Sequence, residues 1–195
     1  MALVLAAQAD PFLWYLTRAM AVAGYITLAV GAMVGMLRPI ARATKERLSG
    51  LTDVAHSSLN VLAALLIAGH LITLYFDPFL PFSLANLLVP VHEPYRPLAS
   101  ALGVFALYAI AAVLLTSWLK GALPYAFWRA VHYLSFVAFA LVTAHGILAG
   151  SDTNEPFMRA IYAGCAGAVA FLVLMRVFAT PRRAAIAPVP QGQGK

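Results

Sequence analysis

The chain has 195 residues, of which 63% are hydrophobic and only 10% are charged, and its formal net charge is +6. Soluble domains carry about 25% charged residues, so this composition, with a mean hydropathy of +0.85, excludes an ordinary soluble protein and predicts an integral membrane protein. The basic residues lie between apolar runs, where membrane orientation explains them better than nucleic-acid binding does. We therefore expect contact with membrane lipid and none with nucleic acid.

Five apolar segments meet or approach the length of about 20 residues that a membrane-spanning helix needs. They cover residues 12–37, 54–76, 97–119, 130–151 and 160–175. The runs are continuous rather than alternating, which favours helices over the strands of a membrane barrel. The sequence thus predicts an all-α membrane protein, a five-helix transmembrane bundle. MALVLAAQADPF at the start lacks the basic and apolar regions of a signal peptide, so we expect none.

The connections carry helix-breaking residues and one possible extra helix. Pro39 and Gly50, in RPIARATKERLSG, are predicted to separate the first two helices. The longest loop, DPFLPFSLANLLVPVHEPYR, contains SLANLL between prolines, which predicts a short helix at the membrane interface. The last stretch, TPRRAAIAPVPQGQGK, is rich in Pro, Gly and Gln, so residues 181–195 are predicted to be a flexible cytoplasmic tail. Residues 1–180 then form the transmembrane bundle.

The positions of Lys and Arg predict the orientation of the bundle. Ten of the 13 Lys and Arg residues fall on one side: Arg38, Arg42, Lys45, Arg47, Lys120, Arg129, Arg176, Arg182, Arg183 and Lys195. Arg18, Arg96 and Arg159 fall on the other side. Positive residues concentrate in cytoplasmic loops, so we expect the N-terminus outside and the C-terminus in the cytoplasm.

Two pairs of histidines interrupt the apolar segments. His56 and His70 are fourteen residues apart on the second predicted helix, and His132 and His145 are thirteen apart on the fourth. Both helices run in the same direction, so the histidines form an inner level (His56, His132) and an outer level (His70, His145). At 1.5 Å per residue the levels are about 20 Å apart, within a hydrocarbon core of about 30 Å.

Two facing imidazoles at each level are the axial ligands that a six-coordinate haem iron needs, and two haems would give electrons a path across the bilayer. Gly69, Gly146 and Ser57, next to the ligands in sequence, are predicted to leave room for the macrocycle. On a helix of about 100° per residue, a spacing of thirteen misses the same face by about 140°. Either the fourth helix tightens or kinks, or the two haems meet it from different sides.

Other uses of buried histidine remain open. One intramembrane histidine is often a hydrogen bond between helices, although four paired residues make this reading less favourable. A proton relay would recruit Asp or Glu, but Asp53, Asp77, Asp152 and Glu155 all lie at helix ends. A single zinc or copper site would need all its ligands at one level.

Gly24, Gly31 and Gly35 predict a small-residue face on the first helix, for a neighbouring helix or a partner subunit.

The paired spacings, together with PYRPLASALG, WRAVHYLSF and AHGILAGSDT, resemble the ferric-reductase-like transmembrane family over about residues 20–178. This family includes ferric reductases, NADPH oxidases and the haem-bearing membrane subunit of the bacterial periplasmic methionine sulfoxide reductase system. The resemblance implies two b-type haems, an inner one held by His56 and His132 and an outer one held by His70 and His145. It also implies the cytoplasmic membrane of a bacterium as the location.

The chain departs from that family in two respects. Family members commonly have six helices, and the five here correspond to a bundle without the first. Ferric reductases and oxidases often continue into a flavin and nicotinamide domain, but this sequence has no glycine-rich dinucleotide motif. We therefore expect an electron-transfer component whose donor or acceptor is a separate redox protein or a quinone.

Five further residues are candidates for contacts with the haems. Arg129, one turn before His132, could hold inner haem propionates or serve only as a positive anchor in the cytoplasm. Arg96 is the matching candidate outside. His92 could be a quinone site or third ligand, although a solvated loop residue is the simpler interpretation. Trp128 and Tyr133 could contact porphyrin, or be the aromatic residues expected at a membrane interface.

The function predicted from the sequence is that of a di-haem b-type membrane cytochrome. Two alternatives remain. The chain could be a haem-carrying or structural subunit of a larger respiratory or photosynthetic membrane complex, isolated with its partners. It could also be a haem-free subunit in which the histidines join helices, and which would be colourless.

Overall fold

The computed structural model describes residues 11–44, 46–78, 82–90 and 96–178, with no side-chain description for 44, 46 and 47. This part of the chain is helical, with one short 3₁₀ turn at Lys120–Ala122 and no strand. The helices are α1 (Phe12–Thr44), α2 (Glu46–Phe76), α3 (Leu84–Leu88), α4 (Pro97–Trp118), α5 (Tyr125–His132), α6 (Leu134–Ala149) and α7 (Pro156–Phe178). The predicted tail at 181–195, and His92, lie outside the described residues.

The predicted five-helix bundle is confirmed. Five helical spans in the described ranges are long and apolar enough to cross a membrane, and α5 with α6 makes the fourth of them, Tyr125–Ala149. Large apolar side chains point away from the protein, as at Val54 (67% exposed), Leu65 (65%) and Phe171 (60%). In a membrane such side chains face lipid, so the bundle has an apolar exterior around an interior of small and aromatic residues.

The first two helices are longer than predicted, and the prediction that Pro39 and Gly50 end them is wrong. Pro39 lies inside α1, and Gly50 lies inside the first turns of α2. A proline within a helix leaves the carbonyl four residues earlier without its N–H, and neighbouring helices can supply replacement donors. The carbonyl that Pro39 leaves without an N–H is that of Gly35. Arg176 of α7 donates to the next carbonyl, that of Met36, at 3.2 Å, and so ties α7 to this turn of α1.

An ion-pair cluster joins α1 and α2 beyond the apolar part of both helices. Arg38 Nε lies 2.5 Å from Asp53 Oδ1, and Arg42 donates to both oxygens of the same carboxylate. These pairs bring α1 and α2 together one turn before His56. The extended ends of the two helices therefore form a hairpin that fixes the position of the inner histidine level.

The core lies where α1 meets α6 and α7. Tyr25 of α1 stacks on Phe139 of α6 with ring centres 5.5 Å apart, and it meets Tyr162 of α7 at 5.3 Å. Ala29 is fully buried beside them. Thr143 donates to the Tyr25 hydroxyl at 3.4 Å, so a polar contact also joins α6 to α1.

The bundle consists of two tightly packed helix pairs that face each other. α1 packs on α2, and α4 packs on α6, whereas close backbone packing between α2 and the α5–α6 span is not found among the described residues. The small-residue face predicted on α1 does dock a neighbouring helix, since Gly24 and Gly31 lie against Leu66 and Leu59 of α2. The space that remains between the two pairs is where the histidines lie.

The fourth span tightens locally between α5 and α6. The Tyr133 N–H points at the carbonyls of both Arg129 and Ala130, and the Phe136 N–H donates to the Tyr133 carbonyl at 3.1 Å. Bonds of this i to i−3 type belong to a 3₁₀ turn, which has about 3.0 residues per turn. The first of the two explanations for the thirteen-residue spacing, a local tightening, is therefore present directly after His132.

The predicted short helix in SLANLL is confirmed as α3. The Ser83 side chain caps the first turn, and the Asn86 Oδ1 accepts a hydrogen bond from the Ser83 N–H at 2.8 Å. This reciprocal arrangement is a capping box, which satisfies two N–H groups that a helix start would otherwise leave free. The Tyr108 hydroxyl of α4 donates to the Leu88 carbonyl at 2.5 Å, so α3 is held on the outside of α4.

The contact between Arg176 and Met36 gives a prediction for stability. We expect Arg176→Met to lower the free energy of unfolding by about 1–3 kcal/mol, because the Met36 carbonyl loses a charged donor from α7. Unfolding in detergent, followed by circular dichroism, measures the loss. Arg159→Met on the same helix, where Arg159 bonds the nearby Asn154, is the control, and an equal loss in both variants would contradict the prediction.

Candidate functional site

The structure brings together one histidine from α2 and one from the α5–α6 span at each of two levels. At the inner level the ring centres of His56 and His132 are 6.3 Å apart, with the ring planes at 74°. At the outer level His70 and His145 line the same cavity, of about 250 Å³. All four imidazoles are half-buried. The pairing therefore agrees with the predicted levels, while their role as ligands stays a prediction.

Three of the four imidazoles are held by a backbone carbonyl of the helix behind them. Nδ1 of His56 lies 2.9 Å from the Gly31 carbonyl, and Nδ1 of His70 lies 3.1 Å from the Thr17 carbonyl. Nδ1 of His145 lies 2.7 Å from the Ala99 carbonyl. A carbonyl oxygen only accepts, so Nδ1 carries the proton in each case and Nε2 keeps its lone pair.

The neighbour of His56 confirms this choice of tautomer. The Asn60 amide Nδ2 lies 3.3 Å from Nε2 of His56, and it also donates to the His56 carbonyl at 2.7 Å. An amide N–H needs an acceptor, which only a nitrogen without a proton provides. Metal-binding histidines almost always donate their other ring N–H to a carbonyl, carboxylate or water. Nε2 of His56 would bind a metal in this way after displacing the Asn60 amide that donates to it.

Two of the rings, those of His56 and His145, approach the neighbouring helix at a glycine. Four residues after the Gly31 and Ala99 acceptors stand Gly35 and Gly103, on the same helix face. A Cβ on Gly35 would lie 2.8 Å from Cε1 of His56, and a Cβ on Gly103 would lie 2.8 Å from Nδ1 of His145. The two rings occupy the space that any larger residue would fill. Sequence reasoning took Gly35 for helix packing alone and missed Gly103.

His132 is held differently from the other three. Its Nδ1 is buried and has no hydrogen-bond partner in the described part of the chain. Its ring instead stacks on Trp128, with ring centres 5.0 Å apart and planes at 25°. Trp128 and His132 are four residues apart on α5, which places their side chains on one face. The predicted contact between Trp128 and the site is therefore one with a histidine ring.

The outer cavity is apolar along its length and has charged groups at one end. Leu28, Val104 and Ile110 are among the apolar lining residues. Arg18 and Asp152, which also line it, form an ion pair. An apolar slot between two histidines, with cations at one end, has the polarity that a flat macrocycle with carboxylate side chains requires.

Arg96 also lines this cavity, as expected for its predicted role. It donates from Nη1 to the carbonyls of Leu148 and Ala149, at 2.8 and 3.0 Å, and so closes the end of α6. Its backbone adopts a left-handed conformation, with φ of 52°. Such a conformation is uncommon for a residue with a side chain and costs about 1–3 kcal/mol. It places the guanidinium between the start of α4 and the end of α6.

The remaining residues that were predicted to contact the haems or to leave room for them have other side chains as neighbours. The Arg129 guanidinium is exposed and donates to the Tyr133 hydroxyl, at 3.0 and 3.1 Å. Gly69 faces Met20, and Gly146 lines the outer cavity against Tyr162. Ser57 is exposed and lines a shallow depression formed by α2 alone: Ser57, Ser58, Val61, Leu62 and Leu65.

The inner ring separation agrees with two imidazoles on one metal. A metal–imidazole bond is about 2 Å long, and a ring centre lies about 1 Å from its nitrogen, which adds up to about 6 Å for two ligands in line. The observed distance is 6.3 Å. No group of three or more His, Cys, Asp or Glu in the described ranges is placed to bind a bare metal ion. The donor set at each level is therefore two imidazoles.

No protein-family model, no curated protein and no solved structure matches this chain. The resemblance to the ferric-reductase-like family stays a prediction from the sequence.

The close fit of His145 against Gly103 gives a prediction for stability. Gly103→Ala places a methyl group against a ring that the Ala99 carbonyl prevents from moving, so we expect a loss of about 1–3 kcal/mol. Gly164→Ala on α7 is the matched control, because a Cβ there meets no atom within 4 Å. It should stabilise by up to about 1 kcal/mol, since Ala favours helix over Gly. Unfolding in detergent measures both, and two similar shifts would refute the proposed fit.

Proposed function

We propose that this chain is a di-haem b-type membrane cytochrome that carries electrons across the cytoplasmic membrane of a bacterium. The donor is a separate redox protein or a quinone, and the acceptor lies on the other side. The observation that carries the proposal is the pairing of one histidine from α2 with one from the α5–α6 span at two levels, His56 with His132 and His70 with His145. Nδ1 of three of the four lies against a carbonyl, which leaves Nε2 as the metal-binding nitrogen.

The residues assigned to each haem follow from the pairs. His56 and His132 would hold the inner haem, and His70 and His145 the outer one. Bound haem supplies a reversible one-electron couple, which no side chain of this chain provides. The carbonyls of Gly31, Thr17 and Ala99 would orient the ligands and strengthen their donation to iron.

The chain contributes a dry environment of low polarity around both levels. The helix faces next to the histidines are apolar, and apolar side chains such as Leu28, Val104 and Ile110 line the outer cavity. A cation near a haem carboxylate offsets its charge. Arg96 and Arg18 line the outer cavity, where Arg18 pairs with Asp152 and Arg96 donates to two carbonyls of α6. Like Arg129, which is bonded to Tyr133, they would exchange a partner to do this.

The orientation follows from the distribution of basic residues rather than from the packing. We propose the N-terminus outside and the C-terminus in the cytoplasm. The His56–His132 level then lies near the cytoplasm, beside Arg38, Arg42 and Lys120. The His70–His145 level lies near the outer face, beside Arg18 and Arg96.

A second candidate is a haem-free structural subunit, and one observation favours it. The Nδ1 bonds of His56 and His70 tie α2 to α1, and that of His145 ties α6 to α4. Such bonds between helices are worth about 0.6 kcal/mol on average in a membrane. In this case the histidines would hold helices together, and the protein would be colourless.

The reduced-minus-oxidised optical spectrum of the purified protein, with haem measured per chain, tests the proposal. We expect two non-covalent haems with the bands of low-spin, six-coordinate iron. His56→Ala and His132→Ala should each remove the same haem, and His70→Ala and His145→Ala the other.

The outcomes separate the candidates. If protein made with ample haem supply contains none, the structural subunit stands and the cytochrome is excluded. If His56→Ala and His70→Ala remove the same haem, the assignment to two levels is wrong. If the haems are present and the chain copurifies with stoichiometric partners, it is a haem-carrying subunit of a larger complex.

A further inference from the structure

The two histidine levels differ in how their ligands are held. At the outer level both imidazoles donate Nδ1–H to a carbonyl, from Thr17 and Ala99. At the inner level His56 does so, but the Nδ1 of His132 is buried without a partner among the described residues. A buried polar atom without a hydrogen bond is uncommon and calls for an explanation.

Trp128 covers one face of the His132 ring, whereas the carbonyls beside the other three histidines meet Nδ1 at the ring edge. Its ring is stacked on the imidazole, 5.0 Å between centres. The indole itself is held from two sides: Nε1 donates to Ser117 Oγ of α4 at 3.4 Å, and Lys120 Nζ lies 4.1 Å from the ring centre. Each of these partners comes from the end of α4 or the 3₁₀ turn after it, so α4 fixes Trp128 and Trp128 fixes His132.

We propose that Trp128 is the positioning residue for His132, and that the His56–His132 level is therefore more easily reduced than the His70–His145 level. This inference rests on the proposed function. A stacked ring can fix the orientation of His132 without a hydrogen bond. How easily each level is reduced depends on how strongly its imidazoles donate electrons to iron.

The difference in reduction follows from ligand chemistry. An imidazole that donates Nδ1–H to a carbonyl is a stronger base at Nε2, and a more basic ligand favours the oxidised, more positive iron. His132 lacks this bond, so its pair stabilises oxidised iron less than the outer pair does. A nearby positive charge disfavours the oxidised state, but cations stand at both levels, Lys120 at the inner one and Arg18 and Arg96 at the outer one. The expected difference therefore comes from the Nδ1 bonds.

The test uses the full chain, purified in detergent, with Trp128→Leu and Trp128→Phe. Trp118→Leu is the matched control, because Trp118 ends α4 and is 83% exposed. Haem per chain, the low-spin electron paramagnetic resonance signals and a redox titration are recorded for each. His56→Ala and His70→Ala identify which signal and which midpoint belong to each level.

We expect the midpoint that disappears in His56→Ala to be the higher of the two. Trp128→Leu should broaden or remove the inner low-spin signal and leave the outer one unchanged, and Trp128→Phe should restore it by keeping a ring against His132. Trp118→Leu should resemble the wild type.

Two results would overturn the inference while leaving the cytochrome intact. One is an inner midpoint equal to or below the outer one. The other is a Trp128→Leu protein whose inner signal is no more altered than that of Trp118→Leu, or whose outer signal is altered as much as its inner signal. A wild-type protein without haem would instead refute the proposed function, and this inference with it.

Discussion

An imidazole placed in hydrocarbon needs a partner for its N–H, and this need organises the bundle. Water is not available at that depth, so an unpaired donor costs several kcal/mol, about as much as any other polar group there. The donor group is satisfied by helix carbonyls, which already accept one bond within their own helix and have a second lone pair. A side chain reaches such a carbonyl only where the residues around it on the helix surface are small. Gly35 leaves this space for His56, and Gly103 leaves it for His145.

The same bonds explain why the helices group in pairs. His56 and His70 draw α2 onto α1, and His145 draws α6 onto α4. Each histidine-bearing helix thus has a close neighbour behind it, and the two do not pack closely on each other within the described ranges. The imidazoles lie between the pairs, with the lone pairs of His56, His70 and His145 on Nε2, and the lone pair of His56 accepts from the Asn60 amide.

The sequence predicted the number of spans and the two histidine levels, because both follow from length and spacing along an apolar helix. Helix ends were predicted less well. Pro39 and Gly50 lie within helices, since the ion pairs of Asp53 and the Arg176 bond stabilise helix where local propensity is poor. Gly103 was missed because a glycine in an apolar run carries no sign of what it faces on another helix. The carbonyl acceptors were not predictable either, as every residue has one.

The thirteen-residue spacing and the unpaired nitrogen of His132 have a common cause. On a regular helix His132 and His145 would differ in direction by about 140°. The i to i−3 bonds at Tyr133 add about 20° for each tightened residue and so turn His132 part of the way toward the face of His145. His145 reaches the Ala99 carbonyl directly, whereas His132, with only part of the difference corrected, faces His56 and lies on Trp128. Because the tightening corrects only part of the difference, His132 does not reach a carbonyl of α4 in the described part of the chain, and the stacked indole is the contact that holds it.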